Sequence, residues 1–259
     1  MRLTEKVAIA AFLETDRFYA GYALGDLEPG LYEQCDWFGD GGGGALNAIA
    51  LVFRGFAPPV LFLMGDSDGL GRILPRAGLP KEVYLNCREQ HLQAAGSLYA
   101  WDRLAAMWRM ALDAQNFKPA GSGCVRLEQA QSRDLAALYA LGGGPAFKPA
   151  QMERGIFYGA FADGRLVAAA GTHVVSYAHG IAAVGNVFTA SDYRKRGLGA
   201  ASTSAVVADL VSRGIRDVIL NVEQSNEAAL RLYERLGFRR HCPFLEGRAT
   251  ATQGRGLCC

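Results

Sequence analysis

The stretch Arg194-Lys195-Arg196-Gly197-Leu198-Gly199 lies between an apolar strand-like run and an amphipathic helix-like run, and its reading decides the fold. Before it, Ile181-Ala182-Ala183-Val184-Gly185-Asn186-Val187-Phe188 reads as a buried strand. After it, Leu198 to Arg213 sets Ala201, Ala205, Val206 and Leu210 along one helical stripe, and Gly214 is the expected C′ glycine. Gly197 and Gly199 allow a close backbone approach, and the next N–H groups are helix-start donors that suit an anion. Arg194, Lys195 and Arg196 supply counter-charge. No Gly-Lys-Ser/Thr follows, which excludes a P-loop. Ser202 stands where a dinucleotide fingerprint needs its third Gly or Ala. A basic strand-to-helix turn without a ligand is the plainer alternative for this segment alone.

Downstream, Asp217 to Val222 reads as a second buried strand, and Asn226 to Phe238 as a helix with Asn226 as N-cap and Gly237 as C′ residue. Asn226 and Tyr233 are seven apart, about two turns, so they share a helix face to within roughly 20°.

These residues resemble the GNAT superfamily of acyl-CoA N-acyltransferases. The family's Arg/Gln-x-x-Gly-x-Gly/Ala pyrophosphate loop matches Arg194, Gly197 and Gly199. Its Asn-x-x-Ala-x-x-x-Tyr-x-x-x-Gly-Phe helix matches Asn226, Ala229, Tyr233, Gly237 and Phe238. The resemblance covers roughly Cys124 to Glu246 and implies an α/β (α+β) fold with a mixed central sheet flanked by helices. It implies an acetyl-CoA or other acyl-CoA co-substrate and transfer to a primary amine by direct attack in a ternary complex. The residues it implies for cofactor binding are Val187, Phe188, Thr189, Arg194, Lys195, Arg196, Gly197, Leu198, Gly199, Ala200, Asn226, Ala229 and Tyr233.

Acyl transfer to an amine requires a neutral nucleophile, stabilisation of an oxyanion and a proton for the leaving thiolate. The resemblance implies Tyr233 as general acid and backbone N–H groups at the end of the Val187-Phe188 strand as carbonyl-polarising donors. Glu223, at the end of the fifth strand, is the first choice of base; His173 and His179 flank a hairpin strand, and His241 reads as structural. The acceptor stays open among a small amine, an amino acid and a protein amine.

At 259 residues, with hydrophobic content of 50%, the chain can fill one large or two ordinary cores. No apolar run approaches ~18 residues and no cleavage pattern follows Val7 to Leu13, so the expectation is a cytoplasmic protein with no membrane partner. Cysteines 35, 87, 124, 242, 258 and 259 lack metal-site or disulfide-framework spacing, so reduced thiols and no metal are expected. Net charge is +2, which argues against a general nucleic-acid partner. Residues 121–259 carry 16 Lys/Arg against 11 Asp/Glu, and residues 1–120 carry 11 against 14. A non-catalytic acyl-CoA-binding module and an RNA-binding domain are the competing classes.

Phe117-Lys118-Pro119-Ala120-Gly121-Ser122-Gly123 reads as a boundary, giving a divergent domain over 1–120 and a catalytic one over 121–259. Within the second, a strand at Val125 to Glu128, helices at Ser132 to Leu141 and Ala150 to Arg154, a Gly142-to-Pro145 loop and a hairpin turning at Ala162-Asp163-Gly164 are expected.

The first half echoes the second: Val83 to Cys87 parallels Val218 to Val222, Leu98-Tyr99 parallels Leu232-Tyr233, and Gly69-Leu70-Gly71 parallels Gly197-Leu198-Gly199. This suggests two GNAT-like halves in tandem, the first degenerate, as in glycine N-acyltransferase-like members of the family. Asp66-Ser67-Asp68 stands where the second half is basic. The Gly41-to-Gly44 run reads as a hairpin turn, and Gly247 to Cys259 reads poorly as a strand.

Overall fold

A computed structural model of the protein describes residues 1–42, 45–141 and 147–252. The Gly142-to-Pro145 loop, the last two glycines of the Gly41-to-Gly44 run and the Cys258-Cys259 tail lie outside the described residues. The chain forms two compact units, one of Met1–Trp108 with the chain from Cys242, the other of Arg109–His241.

This division differs from the expected break at residue 120. The Phe117-to-Gly123 segment is bonded into the second unit: Lys118 N–H donates to Leu236 O at 3.0 Å, and Ala120 N–H to Ser204 Oγ at 2.9 Å. Gly121, at φ 73°, passes so close to Ala201 that an added Cβ would lie 2.6 Å from its methyl group.

The first unit contains helices α1 (Lys6–Leu13) and α2 (Gly21–Gly25), then strands β1 (Cys35–Gly42), β2 (Ala45–Phe53) and β3 (Val60–Gly65). Helix α3 (Ser67–Ile73) leads to β4 (Glu82–Cys87), α4 (Leu92–Gly96) and β5 (Tyr99–Ala100). Strands β1–β2 and β2–β3 pair antiparallel and β3–β4 parallel. Alternating Ala48, Ala50 and Val52 of β2 meet Leu61 and Leu63 of β3, with Leu70 and Ile73 of α3 in the same core. Strand β6 (Ala105–Asp113) spans the change of unit at Trp108/Arg109.

In the second unit β7 (Val125–Arg126) is followed by α5 (Ser132–Tyr139), α6 (Gln151–Arg154), β8 (Phe157–Ala162), β9 (Arg165–Ser176) and β10 (Ile181–Thr189). Helix α7 (Leu198–Ser212), β11 (Asp217–Glu223) and α8 (Glu227–Arg235) complete it. Sheet order is β7-β8-β9-β10-β11, antiparallel except for the parallel β10–β11 pair. Asp163 (φ 49°) and Gly164 (φ 74°) make the hairpin turn between β8 and β9. Gly214 (φ 87°) and Gly237 (φ 100°) end α7 and α8 as left-handed residues.

The same series of pairings, antiparallel, antiparallel, then parallel across a helix, occurs in both units. Two parts of the sequence echo differ. Tyr99 is not on a helix like Tyr233: α4 ends at Gly96, and Tyr99 begins β5, its hydroxyl donating to Pro80 O at 2.6 Å. Gly69 and Gly71 lie inside α3, because Asp66, three residues before Gly69, is the N-cap.

The expectation that Gly247 to Cys259 makes a poor strand is also corrected over its described residues. Strand β12 (Arg239–Ala251) runs through Gly247 and pairs antiparallel with β4, from Leu245 opposite Cys87 to Thr250 opposite Glu82. Its composition is weak for a strand, but a paired edge supplies the backbone partners that propensity alone does not.

Candidate active site

The approach to α7 turns on two left-handed residues, Lys195 at φ 60° and Gly197 at φ 79°. An added Cβ at Gly197 would meet nothing within 4 Å, so this glycine is required by conformation rather than by crowding. Gly197 is the N-cap of α7 and no side chain caps the helix, which leaves its first-turn N–H groups for an external anion. Two of the three basic residues brace the loop. Arg194 Nε donates to Thr189 O at 3.2 Å; Arg196 Nη2 donates to Asp192 O at 2.9 Å and its guanidinium lies 5.0 Å from the Tyr193 ring centroid. Arg194, Lys195 and Arg196 are exposed.

Gly199 shows what converges here. An added Cβ would lie 3.4 Å from Thr189 Oγ1 and 3.5 Å from Leu232 Cδ1, so the loop, the end of β10 and α8 meet at this residue. Leu198 and Ala200, on either side of it, are half-buried.

Strands β10 and β11 pair at Ile181–Asp217, Ala182–Val218 and Ala183–Ile219, although β10 continues to Thr189 and β11 to Glu223. Beyond Ala183 the two strands part. On its other edge β10 is bulged: Gly185 faces Gly171 and Phe188 faces Ala169, so Asn186 and Val187 share a single opposite residue. Asn186 takes the left-handed conformation (φ 52°), and its carbonyl accepts the Tyr139 hydroxyl at 2.6 Å. A second shift between Ala183 and Val184 leaves His173 as the extra residue of β9.

On α8, Ala229 N–H donates to Asn226 Oδ1 at 3.1 Å, closing the expected cap. Tyr233, two turns on, is 7% exposed and stacks edge-on with Phe238, centroids 6.0 Å apart. Glu223 is exposed at the end of β11; its carboxylate accepts the Ser225 hydroxyl at 3.3 Å and its carbonyl the Asn226 N–H at 3.0 Å.

Three features escaped the sequence reading. Asn221, on β11 beyond the last β10 pair, has a buried Oδ1 with no hydrogen-bond partner among the described residues. Tyr139 supports the β10 bulge, and the separate bulge on β9 re-aims His173. A Gly-Asn pair inside a strand run was the available signal for the bulge. Among the described residues no cluster of three or more His, Cys, Asp or Glu could hold a metal, and no helix is long and apolar enough to cross a membrane.

The sequence profile of the Acetyltransferase (GNAT) family matches residues 118–238. The chain is 34% identical over 111 residues to the ribosomal protein bS18 alanine N-acetyltransferase of Escherichia coli K12, covering 40% of this chain and 73% of that protein. It is 41% identical over 100 residues to a mycothiol acetyltransferase of Thermobispora bispora, covering 37% of this chain but 32% of that one. Among solved structures, a GNAT-family protein from Novosphingobium aromaticivorans superposes with a TM-score of 0.59 at 25% identity, covering 75% of this chain and 88% of that one. A tandem GNAT protein from the clavulanic acid biosynthesis pathway shares the fold at a TM-score of 0.58 and 12% identity, over 99% of both chains. With both motifs on one parted strand pair and these relatives, the chain belongs to the GNAT family of acetyltransferases.

Proposed function

We propose that the protein is an N-acetyltransferase that moves the acetyl group of acetyl-CoA to a primary amine by direct attack within a ternary complex. The observation that carries this reading is the parting of β10 from β11 after Ala183, at the uncapped start of α7 and beside α8. The first-turn N–H groups of Leu198, Gly199 and Ala200 hold the pyrophosphate, with Arg194, Lys195 and Arg196 as counter-charge. Backbone groups of Val187, Phe188 and Thr189, on the part of β10 that has left β11, hold and polarise the acyl carbonyl. Asn226 and the small Ala229 fix the start of α8, and Tyr233 donates its phenolic proton to the departing thiolate.

The first unit does not duplicate this site. Asp66 Oδ1 accepts Gly69 N–H at 2.6 Å, so a carboxylate of the chain itself already occupies the start of α3. The β3–β4 pairing runs to Phe62 opposite Asn86, the residue that the sequence echo matches to Asn221, so β4 is paired two residues further along than β11 is. We infer one acetyl-CoA per chain.

The test is an acceptor panel of an N-terminal alanyl peptide, glycine and a short alkylamine, each with acetyl-CoA while released thiol is followed. Amine-dependent release with one acetyl group added to the acceptor supports the reading. Acetyl-CoA binding with no transfer to any amine would favour a non-catalytic acyl-CoA-binding module.

A further inference from the structure

The bulge on β9 gives one side chain a place that an unbulged strand would not. His173 is the unpaired residue between Thr172, opposite Val184, and Val174, opposite Ala183. Its ring atoms lie 2.2, 2.4 and 2.7 Å from the position an added Cβ would take at Gly185, so the imidazole occupies the space a side chain on β10 would fill. Gly185 is two residues past Ala183, where β10 leaves β11. The ring therefore leans over β10 beside the gap between the strands, and its side chain is exposed to solvent.

The face is also defined. Gly171 and Gly185 are cross-strand partners, and the Phe157 ring covers Gly171 as His173 covers Gly185. Phe157 shares a core with Leu135, Leu138 and Tyr139 of α5 and with Phe188 of β10. His173 thus stands on the α5 face, the face that also carries Phe188.

On this geometry, and resting on the acetyl-transfer reading above, we propose that His173 is the base that takes the proton from the attacking amine. The amine nitrogen bonds to the thioester carbonyl carbon as the C–S bond breaks. The amine proton passes to an imidazole nitrogen of His173, the thiolate takes the Tyr233 proton, and bulk water returns both groups to their starting states. Packing of the imidazole against Gly185 takes water from one side of the ring and lowers its pKa from the ordinary imidazole value, while Asn186, beside the ring but without a well-formed hydrogen bond, acts in the opposite sense. A neutral imidazole at neutral pH is the form a base requires. The groups facing it are Gly185 and Asn186 from β10 and, through the Asn186 carbonyl, the Tyr139 phenol of α5, which burial keeps protonated. The Glu223 carboxylate, by contrast, accepts the Ser225 hydroxyl at 3.3 Å.

Three measurements test the proposal on the full chain with acetyl-CoA and the best acceptor of the panel. H173Q should lower kcat/KM by roughly 100-fold or more, leave acetyl-CoA affinity within about twofold, and lose the acidic limb of the pH–rate profile. H173A should regain activity with added imidazole, which separates lost chemistry from lost packing. Ring NMR signals that vanish in H173Q should titrate below pH ~6.5, the ordinary imidazole value. An H173Q profile with the parent's acidic limb, the same limb lost instead in E223Q, or a His173 ring still protonated at neutral pH would each overturn the assignment. Parent protein that binds acetyl-CoA but acetylates no amine would instead defeat the acetyl-transfer reading itself.

Discussion

Ala183 and Ile219 are the last paired residues of β10 and β11. Past them both strands continue without each other, and the Gly197 turn, Asn186 bulge and Tyr233 helix all belong to the unit in which they part. In the first unit β4 is paired with β3 to Asn86, one residue short of its end at Cys87, whereas β11 runs on four residues past Ile219.

Gly197 tests the anion site. Its left-handed conformation makes Gly197→Ala cost about 1 kcal/mol of stability, with acetyl-CoA affinity reduced only modestly. Gly197→Asp adds a carboxylate at the uncapped helix start and should abolish binding measured by calorimetry on the still folded protein.

Tyr233 tests the proton donor. Tyr233→Phe keeps the edge-on contact with Phe238 and should lower kcat by roughly tenfold or more while acetyl-CoA affinity is unchanged. A matching loss of affinity would make Tyr233 a packing residue.

Asp66 tests the self-capped helix of the first unit. Asp66→Ala removes the bond from Gly69 N–H and should cost about 1 kcal/mol in denaturant unfolding, with acetyl-CoA stoichiometry unchanged.

His91 sets a pH dependence of stability. It is 1% exposed, and burial, aided by the nearby Arg88 charge and opposed by the Gly65 carbonyl, lowers its pKa to about 4. The unfolded chain, with an ordinary histidine value near 6.5, binds the proton first, so stability is fully present above pH ~6.5 and falls as pH drops towards 4. The loss is roughly 2–3 kcal/mol at most across that window. Stability of His91→Gln, followed from pH 7.5 to 4.5, should fall less steeply than the parent; parallel curves would remove His91 as the cause.

Much of the second unit was legible because local signals and tertiary outcome agree there. Asn226 and Gly237 bracket α8 as caps, Gly214 ends α7, and Asp163-Gly164 turns the β8–β9 hairpin. The expected boundary at Phe117 to Gly123 has the composition of a linker, but composition does not reveal that Ser204 and Leu236 bind its backbone. The part of β12 from Gly247 onwards was missed because its partner, β4, lies more than 150 residues away in sequence. Tyr99 matched Tyr233 by neighbouring Leu alone, whereas the helix before it had already ended at Gly96. The placing of His173 depends on a bulge, and a bulge is a property of two strands that neither sequence carries by itself.

Titration of acetyl-CoA into the parent protein tests the central claim most directly. The account predicts one site per chain, lost in the Arg194→Ala, Arg196→Ala double variant that removes two counter-charges beside α7. Two sites of comparable affinity, or a single site that survives in the double variant, would contradict it.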